Sequence, residues 1–234
     1  MRVIFPDKYT KTPFLGRALK RLPLLVLATS CSAPFIAFFL QYFFQMQGPI
    51  EWLALSVKGI SQHHFWQWVT YPLVTADTLN LNDSQSLEIT QRLLMRNTLD
   101  FILFYKATDA IIRKMGMSRF VFLLTTQVGV VGMSIWAFLW VIGSSQAFFG
   151  PESLICALLI VRVFLDPEKS LTLPFFPISL SRKWSLVLLL HFYFLILILS
   201  GAYAALLGSV LSMALAVFFC YQENLPNPYR GLYR

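Results

Sequence analysis

A chain of 234 residues that is 57% hydrophobic and only 13% charged carries about half the charge of an ordinary soluble domain, where roughly a quarter of residues are ionisable. Its apolar residues fall in long blocks, and a block of about 20 such residues is what crosses a bilayer, so composition excludes a water-soluble globular enzyme and points to an integral membrane protein. The net charge of +8 lies between the blocks and not on a soluble face mixed with aromatics, which makes lipid the expected partner and excludes nucleic acid.

In chain order, residues 1–21 form a basic tail, and Leu22 to Phe44 is the clearest span. The stretch "LATSC" ending at Cys31 resembles a lipoprotein cleavage box, but the apolar run continues past it, as in a retained helix. Residues 45–92 read as a loop half sunk in the interface, anchored by Trp66 and Trp68, because indole rings prefer the headgroup level. His63 and His64 are adjacent, so their side chains diverge, and no cysteine or carboxylate lies near them. No metal and no cofactor is expected. Cys31, Cys156 and Cys220 are odd in number and scattered over apolar blocks, which argues against a disulfide framework.

The next block, residues 93–112, carries Arg96, Asp100, Lys106 and Asp109. Spacings of four and three allow Arg96–Asp100 and Lys106–Asp109 pairs on one helix face. Residues 120–142 follow as a clean apolar span. Residues 151–165 are too short, covering roughly 22 Å of a core about 30 Å thick; the segment Gly143 to Gly150 before them must dip into the membrane. The run from Trp184 to Phe219 is long enough for two spans, 184–200 and 201–219, reversing at Ser200-Gly201, and residues 222–234 form a tail. Six spans place all but Lys58, Arg92 and Arg96 of the 19 basic residues on one side. The positive-inside rule makes that side, and both termini, cytoplasmic. The expected fold is therefore an all-α bundle of six transmembrane helices over residues 22–221.

This order of elements resembles the rhomboid superfamily of intramembrane serine proteases and their inactive relatives. "FWQWVTYPLVTADTLN" is similar to the family's Trp-Arg segment, with Gln67 where the arginine usually stands. "LLMRNTLDFILFYKATDAIIRKMGMSRFVFLLTTQVGVVG" is similar to its second and third helices, and "FFGPESLICALL" stands where it has Gly-x-Ser-Gly and an apolar helix. "LDPEKSLTLPFFPISLSRKW" resembles the cytoplasmic turn of the derlins, which are inactive members.

The resemblance implies a serine at the start of the fourth helix, a histidine on the sixth to activate it, and a histidine and an asparagine on the second to hold the oxyanion. Here Glu152 takes the serine position, Tyr203 or an alanine that of the sixth-helix histidine, and Leu93 that of the second-helix histidine. Asn97 alone keeps the family residue, as an oxyanion-like group. A serine hydroxyl needs a base; Ser153 is the fallback nucleophile, and His191 is the only histidine within a span. Helix-start chemistry accounts for Pro151-Glu152 without catalysis, through proline in a first turn and a carboxylate near the positive dipole end.

The expectation is a catalytically silent rhomboid-like protein binding transmembrane segments of client proteins. Gly201, Ala205, Gly208 and Ser212 offer a small-residue face for a client or for internal helix packing. Competing readings are an active intramembrane serine protease with a displaced site and a small transporter; no internal repeat marks the latter. The sequence carries no mark of an oligomeric state.

Overall fold

The computed structural model describes residues 52–74, 91–145, 147–168, 170–172 and 179–229. The span expected at 22–44 and both tails up to residue 51 and beyond residue 229 lie outside the described residues. The described chain is mostly helical. Two short helices, α1 (Val57–Ser61) and α2 (Gln67–Thr70), precede a 3-10 turn at Tyr71–Leu73. Five longer helices follow: α3 (Gln91–Met115), α4 (Met117–Val141), α5 (Glu152–Leu165), α6 (Arg182–Leu199) and α7 (Tyr203–Gln222). Three of these, α4, α6 and α7, are long and apolar enough to cross a membrane. Their outward faces carry Phe122, Trp140, Phe192, Ile196, Leu199 and Phe218 exposed, an apolar surface suited to a bilayer.

The helix ends follow from backbone chemistry. Past α4, Gly143 adopts φ +62 while its N–H reaches the Trp140 carbonyl (3.2 Å) and that of Ser144 reaches Leu139 (3.0 Å). This pair of bonds satisfies the orphaned terminal carbonyls and needs a left-handed residue that glycine supplies at least cost. The same pair closes α6 at Gly201 (φ +68), where Gly201 N–H reaches Ile198 and Ala202 N–H reaches Leu197. The chain then re-enters as α7 from Tyr203.

Helix α5 is the centre. Ser153 to Leu158, Val161, Val163 and Phe164 are buried along nearly its whole circumference. They pack with Phe104, Ala107 and Ile111 of α3, Phe120 and Leu123 of α4, and Ala216 and Phe219 of α7. A second core joins Leu55, Ile60 and Tyr71 to Val131, Ile135 and Leu139 of α4 and to Phe148. Helix α6 is peripheral, with only Arg182 and Leu186 buried.

Several expectations change. Residues 52–74 are not simply a loop, since Gln67 pins them into a folded unit. Its fully buried amide accepts from the Ser56 N–H at 3.1 Å and donates to the Trp52 carbonyl at 3.4 Å. Trp66 and Trp68 also divide their labour. Trp66 is exposed and donates to the Trp52 carbonyl (2.8 Å), whereas Trp68 is half-buried edge-on against Trp136 of α4, 5.9 Å between centroids. The connection after α5 contains a small antiparallel ribbon, β1 (Ser170–Thr172) paired with β2 (Ser179–Ser181) with Leu171 opposite Leu180. Its Ser-Leu-Thr and Ser-Leu-Ser alternation suits a strand.

Candidate functional site

The approach to α5 is held from two sides. Phe148 and Leu55 exchange both backbone hydrogen bonds, at 2.7 and 2.9 Å, and the Gly150 N–H donates to the Tyr71 carbonyl at 3.0 Å. Gly150 sits at φ +108, and a β-carbon there would strike the Glu152 carboxylate. Glycine is thus required by conformation, and any larger residue would also displace the Glu152 carboxylate. Pro151 takes the N-cap position and its carbonyl accepts from Ile155 at 2.8 Å, starting the helix.

Glu152, the first residue of α5, does not cap its own helix. Its carboxylate forms an ion pair with Arg96 of α3. The helix-start geometry is present, with Pro151 at the N-cap and Glu152 in the first turn beside the positive end of the α5 dipole, and the neighbouring helix adds a full guanidinium charge to it. The expected pairs within α3 are corrected. Arg96 crosses to Glu152 in place of Asp100, and Asp109 binds Arg113 at 2.7 Å, one turn on, in place of Lys106. Two cations three or four residues away were available to Asp109, and the longer guanidinium can reach it bidentately.

Ser153 is buried and hydrogen-bonds the Tyr71 hydroxyl. Burial pushes the Tyr71 phenol well above its ordinary range, and the bond to Ser153 only partly offsets this. A neutral phenol is no base for a serine hydroxyl. No histidine among the described residues bonds to Ser153. His191 is exposed on α6 with Nδ1 2.9 Å from its own helix's Val187 carbonyl. His64 stacks on Trp66, 4.7 Å between centroids.

The remaining matched positions are spread apart. Asn97 is buried beside the Arg96 end of α3, and neither its Oδ1 nor its Nδ2 finds a partner. Leu93 falls in the first turn of α3, with its side chain outside the described residues. Tyr203 opens α7 and is exposed. Gly201 is open at the turn, Ala205 packs at the edge of the second core, and Gly208 and Ser212 are internal. A β-carbon on Gly208 would lie 2.8 Å from Ile135 Cδ1, and the Ser212 carbonyl accepts from Gln127 of α4 at 3.1 Å. This stripe therefore meets α4.

Sequence reasoning missed a trio at the junction of α5, α6 and α7, with Cys156 and Ser209 buried and Tyr193 partly buried. Ser209 of α7 contacts both the Cys156 thiol and the Tyr193 hydroxyl, the latter at 3.2 Å. The only sequence signal is Ser209 next to Gly208 in a mostly apolar helix. The trio links α5, α6 and α7 through hydroxyls and a thiol, none of which is a general base near Ser153. Among the described residues no three His, Cys, Asp or Glu side chains converge to hold a metal. No family model matches the chain, and no curated protein matches its sequence.

Proposed function

We propose that the chain is a catalytically silent rhomboid-like membrane protein of six spans, with both termini cytoplasmic, that binds transmembrane segments of client proteins. One observation carries the reading. The position where an active member has its nucleophile holds a carboxylate committed to Arg96, and the adjacent hydroxyl is bonded to a neutral phenol. The carboxylate's partner is Arg96 and not the Ser153 hydroxyl. The helix start keeps its shape while losing its chemistry.

The client side of the reading is supported by α6, which contributes two buried residues and presents Leu188, Phe192, Leu195 and Leu199 outward. A loosely attached apolar helix exchanges lipid for a client helix at little cost, because lipid tails are as apolar as leucine and association rests on packing alone. A photoreactive residue at Phe192, irradiated in native membranes, is expected to give discrete protein adducts, and one at buried Leu186 none. Adducts to lipid only at Phe192 would contradict client binding through this helix.

A further inference from the structure

We propose that the outward face of α6 recognises a transmembrane helix carrying a neutral hydrogen-bond donor at mid-bilayer depth, and that Nε2 of His191 accepts from it. His191 stands at the middle of the 18-residue α6 and is exposed. Its Nδ1 lies 2.9 Å from the Val187 carbonyl, one turn back in the same helix. A carbonyl oxygen only accepts, so Nδ1 carries the ring hydrogen, and in the neutral imidazole Nε2 is then an acceptor. Among the described residues Nε2 has no partner.

Lipid cannot supply one. Hydrocarbon donates no hydrogen bond, and for that reason polar groups inside a membrane face the bundle interior or pair across helices. Helix α6 cannot supply one either, because its own N–H groups are committed to the backbone ladder. The exposed hydroxyls of α4 avoid the difficulty: Thr125 donates back to the Val121 carbonyl at 3.0 Å, and Ser134 to that of Val130 at 2.8 Å. The imidazole has a second polar atom and no such return path. On α6 the Tyr193 hydroxyl already bonds Ser209 at 3.2 Å. Leu188 and Leu195 lie one turn either side of His191 on the same face, with Phe192 beside it, and all three are exposed. The face is thus an apolar seat with one acceptor at its centre.

A second copy of the chain fits that seat worse. Paired about a two-fold axis through α6, it would set the same bare acceptor against His191. The requirement rests on client binding through α6, proposed above, and adds a chemical condition on the client: a hydroxyl or carboxamide opposite the acceptor. One interhelical hydrogen bond of this kind changes association about three- to twentyfold. The test places the full chain, carrying a donor dye at its carboxyl terminus, in phosphatidylcholine vesicles with an acceptor-labelled, leucine-rich spanning peptide, and reads association by energy transfer. Three peptides differ only at the central residue, which is leucine, serine or O-methylserine. The last keeps the oxygen and cannot donate.

The serine peptide is expected to associate about three- to twentyfold more tightly than the leucine peptide, and the O-methylserine peptide no more tightly than leucine. The preference is expected to vanish in His191→Leu, whose unfolding midpoint without peptide should equal or exceed that of the parent, since a polar group facing lipid has been removed. Should that variant not fold, the comparison of serine with O-methylserine on the parent chain decides. Equal association of the serine and leucine peptides, or of serine and O-methylserine, overturns the proposal and leaves client binding standing, as does a preference that survives in His191→Leu. Association of no peptide overturns both. A lowered midpoint in folded His191→Leu places the donor inside the chain, and His191-dependent transfer between two labelled copies places it on a second copy; either result overturns the proposal.

Discussion

Replacing Glu152 with glutamine keeps the side chain's shape and removes its charge, leaving Arg96 opposite a neutral amide. An exposed ion pair contributes about 0–1 kcal/mol, whereas removing one partner of a buried pair costs about 3–5 kcal/mol. The Arg96 and Glu152 side chains are 35% and 20% exposed, which places this pair between those limits, at about 2 kcal/mol. A carboxylate acting only on its own helix dipole would lose about 0.3–1 kcal/mol. The discriminating measurement is a double-mutant cycle of Arg96→Gln and Glu152→Gln, with unfolding in mixed micelles followed by tryptophan emission. Each single variant is expected to cost about 2 kcal/mol and the double variant about the same, because each single already abolishes the pair. If the two single effects instead add to within about 0.5 kcal/mol, the two side chains are independent and the account of the α5 start is wrong.

Three further substitutions probe the surrounding frame. Gly150→Ala puts a β-carbon against the Glu152 carboxylate at a backbone conformation of φ +108; it should cost about 1–3 kcal/mol and keep most of that cost when Glu152 is already glutamine, because the backbone strain is unchanged, which the same unfolding assay reads. Ser153→Ala strands the buried Tyr71 hydroxyl and should cost about 1–3 kcal/mol, with Tyr71→Phe recovering part of it in the double variant. Trp68→Ala, which empties a packed contact with Trp136, should lower the unfolding midpoint markedly, while exposed Trp66→Ala should change the midpoint little and instead reduce quenching of the remaining emission by bromolipids.

Much of the fold was legible where backbone and solvent chemistry are local. The apolar runs carry α4, α6 and α7, and the reversal at Ser200-Gly201 is visible because glycine is the residue that closes a helix in the left-handed region. The shortness of α5 follows from the Pro151 start and from Asp166-Pro167, where the helix cannot continue. Partner choice was not legible. Arg96 has a carboxylate four residues away in its own helix and a competing one on α5; only the packing of α3 against α5 decides between them. The same holds for Gln67, which sequence places as a missing arginine and packing turns into the buried staple of residues 52–74. Ser209 was silent because a serine in an apolar helix can bond its own backbone, and nothing in sequence shows that Cys156 and Tyr193 converge on it.

The central claim is that the α5 start carries no activated serine. Its most direct test is labelling of the purified full-length chain, in bilayer nanodiscs, with a fluorophosphonate probe that reacts only with activated serine hydroxyls. The account predicts no labelling at any pH at which the protein stays folded, because among the described residues no base reaches Ser153, whose hydroxyl bonds a neutral phenol. Labelling that disappears in Ser153→Ala, in a variant shown to be folded, would contradict it.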